Sequence, residues 1–370
     1  MPPLSVLIKP VSGCCNMACR YCFYTDLIQN RPAPGEQRME GELLETVVRR
    51  ALELAGQKPA GACTFGFQGG EPTLAGLEFY RRLPELVRRH NHAGVPVLYT
   101  LQTNGLLLDA EWAAFLAGQR FLVGLSADGT AKLHDYFRTD RKGGGTFAAV
   151  QRAARLLDRY GVPYNILTVV TAQAARHIQS IYAFYRRSGW RCQQYIPCLD
   201  PLGEPRGSRA YSLTPALYGQ FLCTLFDLWY RDIRAGEPVS IRYFDTLLAL
   251  LRGQPAGSCG ANGVCSCQLV VEADGSVYPC DFYVLDDYRL GSVREQDFAS
   301  LRQSGKAQEF IRSSAVLPGE CRACRWLPLC RNGCRRDRDP VIGSRFGVNY
   351  YCEAYRTFFA HAYPRLCQLA

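Results

Sequence analysis

From residue 4 to about residue 200, short apolar runs alternate with segments whose apolar positions recur at helical spacing. The run SVLIK at 5–9 predicts a first strand. Over 39–55 the pairs Leu43/Leu44, Val47/Val48 and Ala51/Leu52 share one face and Gly56 marks the stop, which predicts an amphipathic helix. The same reading predicts strands at 63–67 (CTFGF), 97–103 (VLYTLQT), 121–126 (FLVGLS), 164–170 (YNILTVV) and 193–199 (QQYIPCL). Helices are predicted at 75–91, 109–117, 146–160 and 174–188. Strand–helix units in succession imply an α/β fold on a parallel sheet, either doubly wound or a partial barrel. The polar positions decide between them. Gln68, Gln102, Asn104, Ser126 and Asp128 fall at the C-terminal ends of their strands, where a barrel carries its site. A partial (β/α)6 barrel of the TIM type is therefore expected.

Thr214-Pro215 places an N-cap before a proline at the first helical position, opening a helix that runs to about Arg234 and stops at Gly236. After Ser240 helical periodicity thins and cysteines crowd between Cys259 and Cys352. Gln268–Ala273 and Ser276–Cys280 flank Asp274-Gly275 and predict a β-hairpin with a tight turn. The change in texture divides the chain into 1–236 and a cysteine-rich α+β part, 237–370.

Composition narrows the function classes. The chain has 370 residues, 48% of them apolar, ample for a core without covalent staples. The formal charge of +10 comes from arginines scattered singly and in pairs along helices, with no basic run. That pattern argues against nucleic acid and suits solvated helix faces and an acidic partner such as a flavodoxin- or ferredoxin-type reductant. MPPLSVLIKP lacks a basic n-region, its apolar piece is too short for a signal segment, and no apolar run approaches a membrane span. A cytoplasmic, reducing setting follows. There, eighteen cysteines point to metal rather than disulfides.

The stretch CCNMACRYC places Cys15, Cys19 and Cys22 at C-x3-C-x2-C on the loop after the first strand. Three thiolates on so tight a loop suit three irons of a cubane cluster and leave the fourth iron open. Zinc with a fourth ligand from elsewhere is the alternative. Cys14 is the spare, read as a small structural thiol. CNMACRYC resembles the signature of the radical S-adenosylmethionine enzymes, and Phe67–Pro72 (FQGGEP) resembles that family's glycine-rich strand end. The resemblance implies S-adenosylmethionine on the open iron, reductively cleaved to a 5′-deoxyadenosyl radical. It further implies Tyr21 beside the cofactor, Gly70 at its methionine part, Ser126 and Arg138 at its ribose and carboxylate region, and Leu199 at the adenine. Read alone, Ser126 ends a strand and Leu199 is a core leucine.

A second field runs Cys265-x9-Gly275-x4-Cys280, Cys321-x2-Cys324-x5-Cys330-x3-Cys334, then Cys352. It resembles the SPASM extension of that family. With Cys259 it implies two further four-iron clusters, three [4Fe-4S] in all. The implied ligands are Cys259, Cys265, Cys280 and Cys334 for one, and Cys321, Cys324, Cys330 and Cys352 for the other. Two zinc sites share the ligand arithmetic. Cys63, Cys192, Cys198, Cys223 and Cys367 sit among apolar neighbours and are expected to be buried small residues. Cys14 and Cys267 adjoin ligands.

Nearly the whole chain, through FQGGEPTLAGLEF, FLVGLSADG, VSIRYFD and VVEADGSVYPCDFYVLD, resembles one branch, the anaerobic sulfatase-maturating enzymes. The resemblance implies oxidation of a Cys or Ser of an unfolded or nascent sulfatase, in a C/S-x-P-x-R context, to Cα-formylglycine. After Cβ hydrogen abstraction Asp281 would take the substrate proton, with Tyr24 or water as fallback and an auxiliary cluster as electron sink. Read alone, Asp281 is a turn-capping residue. Two other readings are a related SPASM maturase forming thioether or carbon–carbon crosslinks, and a non-catalytic iron–sulfur electron-transfer protein. Departures from the branch are the extra cysteine in CCNMAC and a glycine-rich loop at 138–146.

Overall fold

A computed structural model describes residues 4–29, 38–57, 61–338 and 347–370; Met1–Pro3 of the opening stretch lie outside them. The described residues form ten strands: β1 Leu4–Ile8, β2 Cys63–Phe67, β3 Val97–Thr103, β4 Leu122–Ser126, β5 Tyr164–Val170, β6 Cys192–Pro197, β7 Ser240–Ile241, β8 Val270–Val271, β9 Ser276–Tyr278 and β10 Gly291–Ser292. Six of them match the expected strands to within two residues at each end. The sheet is open rather than closed into a ring, as a partial barrel requires.

The chain packs as two compact units. Met1–Ser126, Arg138–Tyr164 and Cys267–Glu309 make one; Ala127–Phe137, Asn165–Ser266 and Phe310–Ala370 make the other. This spatial division cuts differently from the sequence division at 236/237, which follows the change in texture along the chain.

In the first unit β1, β2, β3 and β4 run parallel, with Leu4 opposite Cys63, Cys63 opposite Val97 and Thr100 opposite Leu122. β8 joins β1 on its other side, also parallel, with Leu7 opposite Val270, and β9 and β10 extend the sheet antiparallel. The cysteine-rich hairpin is thus a continuation of the N-terminal sheet. Helix Gly41–Gly56 buries Leu43, Leu44, Val47, Val48, Ala51 and Leu52, the face predicted from its periodicity.

The expected two-residue Asp-Gly turn is a three-residue loop. Glu272 N donates to the Ser276 carbonyl, leaving Ala273, Asp274 and Gly275 outside the ladder. Asp274 accepts from Ser276 N and Gly275 adopts φ +92°, the left-handed position that three-residue hairpin loops require.

In the second unit β5, β6 and β7 run parallel, Ile166 opposite Gln193 and Cys192 opposite Ser240. The helix predicted at 174–188 is two, Ala172–Arg176 and Ile178–Arg187. His177 N is shared between the Gln173 and Ala174 carbonyls, which breaks the regular ladder. Helix Pro215–Arg234 starts as predicted, Thr214 accepting from Leu217 N. Gly219 lets it approach the C-terminal helix Cys352–Leu369, since a Cβ there would stand 3.3 Å from Ala354 Cα.

Candidate active site

Residues 9–22 leave the C-terminal end of β1 and carry Cys15, Cys19 and Cys22 into helix Phe23–Gln29. Backbone contacts clamp this loop from two sides. Gly70 N donates to the Ser12 carbonyl at 2.9 Å and Glu71 N to the Cys14 carbonyl at 2.7 Å. Opposite them, Ala18 N donates to the Thr139 carbonyl at 2.9 Å and Arg141 Nε to the Cys15 carbonyl at 2.7 Å. The glycine-rich loop is therefore a brace for the cysteine loop.

A Cβ on Gly70 would lie 2.1 Å from the Cys14 carbonyl oxygen, so the space that glycine frees is taken by the cysteine loop itself. Glu71 is buried and accepts from Thr73 N, Thr73 Oγ1, Thr103 Oγ1 and Asn104 N, tying β2's end to β3's. Burial pushes the Cys15 thiol up to about 12, so its thiolate would form only with a compensating positive charge beside it.

Of the residues implied for the cofactor, Tyr21, Gly70, Ser126 and Arg138 belong to the first unit. Arg138 stands over the Tyr21 ring at 5.5 Å, and Ser126 is buried at the end of β4. Leu199, half-buried, follows β6 in the second unit.

Asp281 lies in the first unit, next to Cys280 at the start of the short turn Asp281–Tyr283. It caps nothing there; Cys280 holds the N-cap position. Its Oδ2 accepts from Tyr24 Oη at 2.6 Å and from Gln68 Nε2 at 2.9 Å, and Gln68 also donates to Tyr24 Oη at 2.9 Å. Lys9 Nζ stands 2.9 Å from Oδ1 and 3.3 Å from Glu272 Oε1. Among the described residues Oδ1 has no aligned hydrogen-bond donor. Lys9, Glu272 and Asp281 are all buried.

Burial alone would lower the Lys9 ammonium, but Asp281 and then Glu272 raise it above its ordinary value. Burial, then Asp281, hold the Tyr24 phenol well above its ordinary value. Tyr24 donates to Asp281 and accepts from Gln68. Lys9 and Glu272 escaped the sequence reading. The available signals were a lysine ending an apolar strand and a glutamate inside VVEADG, neither expected to be buried.

In the second unit, Cys321, Cys324, Cys330 and Cys352 together line one pocket, with Trp326, Asn332 and Asn349. Four thiols around one void fit a cluster's demands. Asn332 and Asn349 fix its walls: Asn349 N donates to Asn332 Oδ1 at 2.9 Å, and Asn349 Nδ2 to the Asn332 carbonyl at 3.1 Å. Cys352 opens the C-terminal helix, and burial pushes its thiol above the ordinary value. Cys259, Cys265 and Cys334 belong to this unit and lie within electrostatic reach of one another, whereas Cys280 belongs to the first. Cys63, Cys198 and Cys267 are buried and Cys223 is half-buried. Cys192 and Cys367 are exposed, against expectation: each sits on the solvent side of an element end.

Residues 10–184 match the radical SAM superfamily and residues 259–325 an iron–sulfur cluster-binding domain of the SPASM type. Over 370 residues the chain is 50% identical to a cysteine-type anaerobic sulfatase-maturating enzyme of Clostridium perfringens, spanning 100% of this chain and 99% of that one. A serine-type anaerobic sulfatase-maturating enzyme of Bacteroides thetaiotaomicron is 30% identical over 378 residues, 98% and 90% of the two chains. A solved structure of native anSMEcpe with bound AdoMet and Kp18Cys peptide superposes with a TM-score of 0.94 at 48% identity, covering 100% and 99%. Streptococcus suis SuiB bound to precursor peptide SuiA shares the fold, at 16% identity and TM-score 0.67.

Proposed function

The chain belongs to the anaerobic sulfatase-maturating enzymes, a radical SAM family with a SPASM domain, and from that premise we propose that it oxidises an active-site Cys or Ser of a sulfatase to Cα-formylglycine. The substrate is an unfolded or nascent polypeptide with a C/S-x-P-x-R segment, met in the cytoplasm, and electrons come from a flavodoxin- or ferredoxin-type reductant. Support for a peptide substrate comes from the relatives' sulfatase-maturating role and from the peptide bound to anSMEcpe.

Cys15, Cys19 and Cys22 would hold one [4Fe-4S] cluster, with S-adenosylmethionine against Tyr21, Gly70, Ser126, Arg138 and Leu199. Cys259, Cys265, Cys280 and Cys334 would hold a second cluster, and Cys321, Cys324, Cys330 and Cys352 a third. Residues 1–236 form the core in this reading and 237–370 the auxiliary domain. When bound, these groups supply hydrogen-atom abstraction from the substrate Cβ through the 5′-deoxyadenosyl radical, and an acceptor for one electron.

The carrying observation is the buried Asp281 carboxylate, held by Tyr24, Gln68 and Lys9. For a cysteine substrate, –CH2–SH must lose a hydrogen atom, a proton and an electron to become –CH=S. Water then converts it to the aldehyde with release of hydrogen sulfide. Tyr24 and Gln68 occupy Oδ2 as donors and Lys9 Nζ stands 2.9 Å from Oδ1, so the thiol proton would arrive at Oδ1, beside the ammonium paired with it. Once Asp281 is protonated, Lys9 keeps its charge compensated by Glu272, so the transfer strands no buried ammonium.

Asp281→Asn tests this. The variant should bind peptide and cleave S-adenosylmethionine, while formylglycine falls by about two orders of magnitude, the usual worth of a positioned base. Mass spectrometry of peptide and 5′-deoxyadenosine reads both products. A near-normal aldehyde yield would remove Asp281 as the base.

A further inference from the structure

The segment after Cys334 buries three cations, Arg335, Arg336 and Arg338, of which Arg338 is the deepest. Arg338 is 3% exposed, its Nη1 donates to the Ser314 carbonyl at 2.9 Å and its Nη2 to the Gly263 carbonyl at 3.3 Å. Its Nε is buried with no acceptor among the described residues. Both acceptors are neutral. The adjacent carboxylate of Asp337 faces Arg206 at 3.6 Å. Asp337 also lies within electrostatic reach of Arg338 but is shared with Arg206 and Arg336, so a guanidinium removed from water here gains from a further anion nearby.

The two carbonyls show where that anion belongs. Gly263 is two residues before Cys265. Ser314 receives the Cys265 amide on its Oγ at 2.8 Å. Arg338 therefore joins the loop bearing Cys259 and Cys265 to the segment bearing Cys334. Four-thiolate iron–sulfur clusters are anionic in both working oxidation states and more so when reduced, so a buried cation raises their reduction potential.

We propose that Arg338 is the internal counterion of the auxiliary cluster held through Cys259, Cys265 and Cys334, and that its charge sets how readily this centre takes the electron leaving the substrate. The inference rests on the proposed cluster assignment. The balance is one electron: the substrate radical is oxidised and the cluster reduced, with the proton passing separately to Asp281. Arg338 touches neither substrate nor reacting atoms and is a positioning residue.

The test uses the full chain with Cys15, Cys19 and Cys22 replaced by Ala, reconstituted anaerobically, so that only auxiliary clusters report. Midpoint potentials are read by EPR-monitored titration for Arg338, Arg338→Gln and Arg338→Lys, together with iron content. The expected result is about eight irons per chain in each, a lower potential in Arg338→Gln, and a potential near that of Arg338 in Arg338→Lys. Loss of iron from the Gln variant but not the Lys variant also supports a counterion. A fully loaded Gln variant with unchanged potential overturns the proposal. So does an equal shift or equal iron loss in both variants, which would make Arg338 a strut rather than a charge. Absence of any auxiliary signal with Arg338 intact overturns the cluster assignment itself.

Discussion

At the scale of single residues, buried charge is concentrated around Asp281. Lys9, enclosed with Asp281 and Glu272, has its ammonium held above the ordinary 10.5. A raised folded-state value means the stability Lys9 contributes is fully present below its unfolded value and is lost as pH climbs through the folded one. Lys9→Met should therefore cost about 3–5 kcal/mol near neutrality, the usual penalty for breaking a buried pair. The gap between wild type and variant in denaturant unfolding should stay constant up to about pH 10 and narrow above it. A gap that closes between about pH 6 and 8 would contradict the ion-pair account. In the sequence, Asp281 and Tyr24 were visible only through the motifs beside them. Lys9 and Glu272 were not visible, because propensity rules place such residues at the surface and only the β1–β8 pairing buries them together.

Elements explain how the cysteine loop keeps its shape without regular structure of its own. It is held by the glycine-rich end of β2 on one side and by residues 139–141 on the other. Gly70→Ala is the sharpest test, because the added carbon would overlap the Cys14 carbonyl at 2.1 Å and the backbone cannot yield cheaply. The variant should remain folded, its iron falling from about twelve to about eight per chain, with cofactor cleavage lost. Unchanged iron and cleavage would show that the loop is held elsewhere. Strand positions and the face of helix Gly41–Gly56 were legible from apolar spacing alone. The break at His177 and the three-residue hairpin loop were not, since each depends on which carbonyl an amide finds rather than on side-chain period.

At the scale of the molecule, Cys321, Cys324, Cys330 and Cys352 line one pocket, and under the proposed assignment part of the second unit would depend on the cluster held there. Cys324→Ala should chiefly reduce soluble yield and lower the unfolding temperature, with iron reduced by about four per chain. A soluble, fully loaded Cys324→Ala chain would remove that cluster. The cysteine spacings and the glycine-rich strand end identify the family from sequence because cluster chemistry demands particular ligands at short separations, and short separations survive in a linear code. The alternation of strands and helices is legible for a similar reason: it is set by local period. What sequence could not decide is long-range. Lys9 meets Asp281 because β8 joins β1, and Arg338 meets the Cys265 loop through carbonyls of Gly263 and Ser314. A carbonyl looks the same at every position in a sequence. Which one faces a buried cation is decided only when packing has excluded water and fixed the groups around that cation.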